Sequence, residues 1–529
     1  MSTNSVYLLA KQLKGDPKSS STHLTVRKWK ELVHRKNKDR DAALQILSSN
    51  GGVSDVVKLC ATVNDEYFLS DTLMLLWNVV LHSSEMLREA VQAGGIEALG
   101  VIIKAALRAG HRESTVHALS ALLAMTKDPH TLSTGIRESG MIPFLVTLLE
   151  SDRDKAVKTK TVTILTALTK CCENHETTLR AGVLDRFLKL LSEDREGEIC
   201  LNVLDALASL LTHKACGVMD RKHLKTVLDF LTPAAQLKAS TIPAVAVLRQ
   251  MALVNADYRY ILRTMGAIPM LLDMIRTGEQ ANSECTTCAV AALRALAIKS
   301  PGNRVVIREA HGIEKLVSLL HGDMSSECTR EAVELLHDLA VNSLSNREAL
   351  AHAGGIPVLV KLLSNSSSKG EEDMANTTSR VLYSMSMNNP EHKDAIREAG
   401  GIRELVDLLQ NGNEQATQNA AGALWSLSVD NTANKTAIRR AGAAESLAPL
   451  LFKRAPENRE TITQRVREWH VEQAREEKKK NRRSARGKPL YPTPGALMYE
   501  APKLNIEQSG GKTPRVKDIP MFLLRFASK

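Results

Sequence analysis

The sequence predicts an all-α fold: a superhelical solenoid of short stacked helices, ending in a basic, partly disordered C-terminal tail. Three observations predict it. The first is a recurring segment, KDAIREAGGIRELVDLLQNG at 393–412, with further copies at 346–363, 303–322, 84–103 and 133–149. Aligning the apolar residue after the glycines picks out Val53, Ile96, Ile142, Leu184, Ile268, Ile313, Ile356 and Ile402, in steps of 43, 46, 42, 84, 45, 43 and 46. The step of 84 spans two periods, with one degenerate copy near His223–Leu231. A fixed period in this range marks a helical repeat array. The second observation is a core supply that is 43% hydrophobic but only 3% aromatic, so packing must come from aliphatic helix faces. The third is length. At 529 residues the chain exceeds one ordinary core, whereas a repeat array buries each face only against its neighbours.

Residues 1–40 are expected to form capping helices. Trp29, Leu32, Val33, Leu44 and Ile46 lie on one side of residues 22–47, and Arg27, Lys28, Lys30, Arg35, Lys36 and Lys38 on the other. A terminal unit needs such a polar outer face, and a basic binding helix is the alternative. From 41 to 451 each unit opens with a short amphipathic run such as Asp394–Ala399, then turns at glycine. Positive φ at that corner suits a residue without a Cβ. Pro143, Pro269 and Pro357 fall in the first turn of the next helix, where a missing N–H is harmless. That second helix repeats apolar residues at three- and four-residue steps, as in Leu405, Val406, Leu408 and Leu409. A polar loop leads to a third helix such as Asn419–Ser428, whose Ala420, Ala421, Gly422 and Ala423 permit close packing.

One short and two longer helices per unit, with glycine at the first corner, resemble the armadillo repeat, whereas HEAT repeats lack the glycine-broken first helix. The resemblance spans about residues 40–451 and implies a right-handed superhelix of about 9–10 units whose third helices line a concave groove. In importin-α and β-catenin it further implies an Asn ladder that clamps an extended peptide. The matching positions here are Asn78, Ala121, Ala167, Ser209, Gln250, Ala295, Asp338, Ser384 and Ser426, and only the first is Asn. The importin-α tryptophan positions hold Met74, His117, Thr163, Asp205, Ala246, Ala291, Glu334, Arg380 and Gly422. The ladders are absent, which argues against a nuclear-import receptor. What remains for protein binding is a mixed set. Glu334 and Asp338 share one helix face, Asp205 lies further along, Arg249, Arg294 and Arg380 are the basic members, and Trp425 is the aromatic one. They read either as a selector of charged peptides or as a solvated helix face.

Cys285 and Cys288 have CxxC spacing, and Cys171 and Cys172 are adjacent, but no second ligand pair completes a zinc site. The cysteines read as buried thiols, and His213, Cys216 and His223 likewise as structural side chains and not ligands. No phosphate loop, dinucleotide fingerprint, HExxH or GxSxG element occurs, so no enzyme, cofactor or metal is expected. Ser2 is not a myristoylation site, and no run of 18 apolar residues is present.

Net charge is +11, and its placement is uneven. Residues 452–529 hold 19 basic and 9 acidic side chains, against 51 and 50 in the remainder. Residues 452–488 read as a charged helix with a seam of Ile462, Val466, Trp469 and Ala474, running into Lys478, Lys479, Lys480, Arg482, Arg483, Arg486 and Lys488. That cluster suits a nuclear-localisation signal, a polyanion contact or a solvated extension. Residues 489–529 are Pro/Gly-rich and expected to be flexible, ending in Phe522, Leu523, Leu524 and Phe526, which read as a docking anchor for this solenoid or a partner. The expected function is a non-enzymatic scaffold or adaptor that holds a peptide or helix in its groove. A tail-mediated binder of nucleic acid or of a microtubule surface is the alternative. The expected setting is cytoplasmic, nuclear, or associated with cytoskeleton or cilium.

Overall fold

The computed structural model describes residues 3–34, 38–63, 65–128, 135–150, 154–212, 221–232, 239–276, 284–322 and 326–443. The basic cluster and the Phe522–Phe526 anchor therefore lie outside the described residues, as do His213 and Cys216. Every regular element among the described residues is helical, and no single helix there is long and apolar enough to cross a membrane. The chain divides into two compact units, 1–265 and 266–529.

In the first unit, α1 (Thr3–Gln12), α2 (Ser20–His34) and α3 (Lys38–Ser49) precede α4 (Gly52–Thr62) and α5 (Glu66–His82). Three short-long-long sets follow: α6 (Ser84–Gln92), α7 (Gly95–Ala109) and α8 (Arg112–Met125); α9 (Ile136–Glu138), α10 (Met141–Leu148) and α11 (Lys155–Thr169); α12 (His175–Arg180), α13 (Val183–Glu193) and α14 (Glu198–Leu210). The degenerate unit supplies α15 (Arg221–Leu228) and α16 (Thr241–Val254), and α17 (Ala256–Thr264) ends this part. Trp29, Leu32, Val33 and Leu44 are buried as expected, but Ile46 is only half-buried and Leu47 takes the core place. Lys30 is not on a solvated face either: it forms an ion pair with Asp71 of α5.

The second unit opens with α18 (Ala267–Asp273) and α19 (Glu284–Ala297). Its sets are α20 (Pro301–Glu309), α21 (Gly312–Leu319) and α22 (Glu327–Ala340); α23 (Leu344–His352), α24 (Gly355–Lys369) and α25 (Glu372–Ser386); α26 (Pro390–Glu398), α27 (Gly401–Asn411) and α28 (Glu414–Ser428). The last described helix is α29 (Thr432–Arg440). Within each unit, neighbouring third helices lie side by side.

The corner glycines do what their positions require. Gly400 sits in the left-handed region at φ 86°, where a Cβ is strained. Its neighbour Gly401 has ordinary φ, but a Cβ there would lie 2.8 Å from Ile396 Cγ2 and 3.0 Å from Val360 Cγ2. One glycine makes the turn; the other lets the repeat close on its predecessor. The three leucines and one valine of α27 picked out by their spacing are all buried.

The second unit also carries a polar joint that recurs with fixed spacing. Each third helix ends on a non-glycine residue in the left-handed region: Lys299, Asn342, Asn388 and Asp430. The next residue is Ser300, Ser343, Asn389 or Asn431, and the last three cap the following short helix by accepting from a backbone N–H. Three residues on, a buried Asn303, Asn346 or Asn434 donates its amide back to the carbonyl of Leu296, Leu339 or Leu427, at 2.8, 2.9 and 3.1 Å. His392 makes the same bond to Met385 at 3.2 Å. The joints are linked across repeats. Arg308 donates to Asn346 Oδ1, Arg397 to Asn434 Oδ1, and the Lys393 ammonium to the Val429 carbonyl at 2.7 Å. A cation against exposed carbonyls at a helix C-terminus is favourable, although burial holds the Arg347 and Lys393 side chains below their usual pKa ranges.

Candidate functional site

A third helix inside a stack buries the sides facing its neighbours and its own second helix, leaving one stripe open. On α22 that stripe is Glu327, Arg330, Glu331, Glu334, His337 and Asp338. Glu334 and Asp338 therefore do share a face. The arginines, however, do not flank them; they are joined to them. Arg294 of α19 reaches Glu331 Oε2 at 3.2 Å, Glu334 Oε2 at 3.3 Å and Asp338 Oδ2 at 3.9 Å. From the other side Arg380 of α25 lies 3.9 Å from Glu334 Oε2, and its second nitrogen 3.3 Å from His337 Nδ1. The Thr377 hydroxyl donates to Glu334 Oε1 at 2.8 Å. Three carboxylates and two guanidiniums, all partly screened from water, thus pair with one another across three helices, with Arg294 Nε left without a hydrogen bond. Such a network fixes helix register more than it offers free charge.

The other residues picked out in this unit are also engaged. Ser384 is buried, and Trp425 is half-buried on α28. The glycine three before Trp425, Gly422, meets the Tyr383 ring of α25: an added Cβ would sit 3.7 Å from it. Asn419 donates to Asn376 Oδ1 one repeat back. Cys285 and Cys288 lie half-buried at the start of α19, with burial pushing the Cys285 thiol up.

The first unit has a different third-helix face. Asn78 is half-buried, but its amide donates to the Met74 carbonyl of its own helix at 2.8 Å and is not offered to a peptide. Asp205 is exposed and lies 3.4 Å from Lys170. Arg249 is exposed and Gln250 half-buried on α16. Around them stand residues that the ladder comparison passed over. Met74 and Trp77 on α5, Val116 and Leu123 on α8, and Thr159, Lys160 and Thr163 on α11 are all half-exposed. A cleft of about 460 Å³ runs between α8, α11 and α14, bordered by Leu123, Lys155, Thr159, Lys160, Thr163 and Glu198. Helix α11 carries lysine and no acidic residue, and its flanking ion pairs are made by Asp154 with Arg112 and by Asp194 with Lys155. Behind the cleft, Asn202 donates to Thr163 Oγ1 at 3.1 Å and Thr166 to the Asn202 carbonyl at 2.9 Å, holding α11 against α14. His117 contacts Ser70 at 2.9 Å, and burial keeps its imidazole below its ordinary pKa.

Sequence reasoning missed the buried asparagines although the signal was present, since the copies at 303 and 346 both begin with Asn. It missed the open face of the first unit because it looked only at the two ladder positions of each helix.

Residues 389–429 match the family model described as Armadillo/beta-catenin-like repeat. No curated protein sequence matches the chain. Among solved structures, one from work on a phosphorylation switch in the interaction between cadherin and β-catenin aligns at a TM-score of 0.62 and 15% identity, covering 83% of this chain and 95% of that one. An engineered protein aligns at a TM-score of 0.52 and 23% identity, covering 88% and 98%. Residues 389–429 thus match an armadillo repeat, and the solenoid around them is similar in fold to these repeat structures.

Proposed function

We propose that the protein is a non-enzymatic scaffold that holds a segment of a partner protein along the third-helix face of its first unit. The supporting observation is the contrast between the two faces. In the second unit Arg294, Arg380, Glu331, Glu334 and Asp338 are spent on one another. In the first, Met74 and Trp77 stand half-exposed on α5, and Leu123 and Lys160 border an open cleft, a mixture of apolar anchors and charge that a protein segment can use. The cadherin–β-catenin neighbour supports protein binding as the use of such a solenoid. The competing reading, a polyanion contact, rests on the charge surplus of residues 452–529.

The test is affinity purification of the full chain and of full-length variants from cells, with cross-linking to map the bound segment. Met74→Glu with Leu123→Glu is expected to lose the partners, and Arg380→Gln to retain them. Binding that survives the first pair, or that falls steeply with salt in proportion to lysines 478–488, overturns the reading in favour of the tail.

A further inference from the structure

The open apolar residues of the first unit are spaced along their helices, not scattered. On α5, Tyr67, Met74 and Leu81 stand at seven-residue steps, exposed or half-exposed, with Trp77 beside them. On α8, which lies alongside, Val116 and Leu123 are also seven apart and half-exposed. A seven-residue step drifts by only about 20° around a helix, so each set makes an apolar seam running lengthwise. Two such seams on adjacent helices are the pattern against which a further helix packs along its length. The same face offers little to the backbone of an extended segment. Asn78 donates to the Met74 carbonyl, Thr159 to Lys155 and Thr163 to Thr159, each at 2.8 Å, and Ser209 to Asp205 at 3.1 Å. Ala121 and Ala167, at the remaining ladder positions, carry no polar group at all. An extended segment brings N–H and C=O groups that need partners, whereas a helix has paired most of its own.

We propose that the occupant of this face is an amphipathic α-helix of a partner protein, laid lengthwise over α5 and α8 with an acidic flank toward α11. Apolar residues at three- and four-residue spacing on that helix meet the two seams. Charge sets its orientation. Helix α11 carries Lys155, Lys158 and Lys160 and no acidic residue. Lys155 lies 3.8 Å from Asp194, whereas Lys160, on the border of the cleft, has no ion pair among the described residues. The acids bordering that cleft are Asp154, already paired with Arg112, and Glu198 on the α14 side. On α5 the acid between the seam residues, Asp71, is joined to Lys30. A carboxylate is therefore favoured on the α11 flank of the docked helix and gains nothing on the α5 flank. The proposal rests on the first unit being the binding face, and adds the form, direction and charge of what it holds.

A random peptide-display library selected on the full-length protein tests it, with enriched peptides remade synthetically and their affinities measured. Full-length Met74→Glu with Leu123→Glu is the counter-selection, and unchanged hydrogen exchange in α4 and α7 shows that its fold holds. Peptides lost on that variant are expected to space their apolar residues by three and four. A central proline should weaken them by about tenfold or more. Lys160→Glu should weaken them severalfold, and an acid-to-lysine exchange in the peptide should restore the loss. Peptides that need Met74 and Leu123 yet tolerate proline and alternate apolar with polar residues overturn the helix while leaving the face standing. Helical binders indifferent to the charge at Lys160 overturn the acidic flank. Self-association of the wild type that the Met74 and Leu123 pair abolishes overturns the proposal in favour of a second copy. Enrichment that ignores both residues overturns the binding face itself.

Discussion

The two units join their repeats with different regularity, and the difference separates what holds the fold from what is left for binding. In the second unit the residue three past the cap of each short helix is Asn303, Asn346, His392 or Asn434, each bonded to the end of the preceding third helix. In the first unit the residues three past Ser83 and Asn255 are Met86 and Tyr258, both buried, and among the described residues the one Asn joint is at α12, where Asn174 donates to the Leu168 carbonyl at 3.1 Å. None of the non-glycine residues in the left-handed region belongs to the first unit among the described residues. A directional polar joint fixes the angle at which one repeat follows another; an apolar side chain such as Met86 fills the same space without fixing it. The second unit, with its joints and its Arg294 network, reads as the more rigidly registered part. The first keeps an uncommitted face.

The largest expected effect comes from breaking one joint and its apolar counterpart in parallel. Asn346→Leu leaves the buried Leu339 carbonyl without its donor and removes one of the acceptors of Arg308, a loss of about 1–3 kcal/mol. Met86→Leu is volume-conserving and should cost under about 1.5 kcal/mol. Denaturant unfolding read by hydrogen exchange separates the units, and equal costs at the two sites would erase the distinction drawn between them.

A smaller effect follows from the one joint that uses histidine. His392 donates a ring N–H to Met385, and burial holds its pKa below the ordinary value, with Arg347 adding to the depression and Glu348 and Glu391 opposing it. The unfolded chain takes up a proton near pH 6.5, the folded one only at lower pH. The stabilisation is therefore complete above about pH 6.5 and declines as pH falls through that value. His117 in the first unit shifts in the same direction. His392→Asn, the residue used at the other joints, should remove the acid sensitivity of α25 and α26 while leaving that of α5 and α8. Acid sensitivity that persists around α26 would mean that His392 is not its source.

The fold was legible because its signals are local and repeated. Glycine corners, helical spacing and the period can each be read without knowing what touches what, and α27 lies where its leucines place it. The candidate site was legible only by position. Glu334, Asp338, Arg294 and Arg380 could be assigned to open faces, but whether neighbouring charges are free or paired depends on the lateral offset of adjacent helices, which spacing within one helix does not carry. The same limit concealed Asn78, whose amide turns back to Met74.

The corner glycines offer the smallest test. Where the described corners of the first unit carry Gly51, Gly94, Gly140 and Gly182, the second unit has one exception: His311, at φ 56° with an exposed side chain near Glu314. A Cβ in the left-handed region costs about 1–2 kcal/mol, and glycine gives up part of that relief because it makes the unfolded chain more flexible. His311→Gly should therefore stabilise the second unit by about 0.5 kcal/mol, read as slower exchange in α20 and α21. A destabilisation of that size would show instead that the His311–Glu314 contact, 3.4 Å long and open to solvent, outweighs the strain, and that this corner has been re-engineered rather than merely worn.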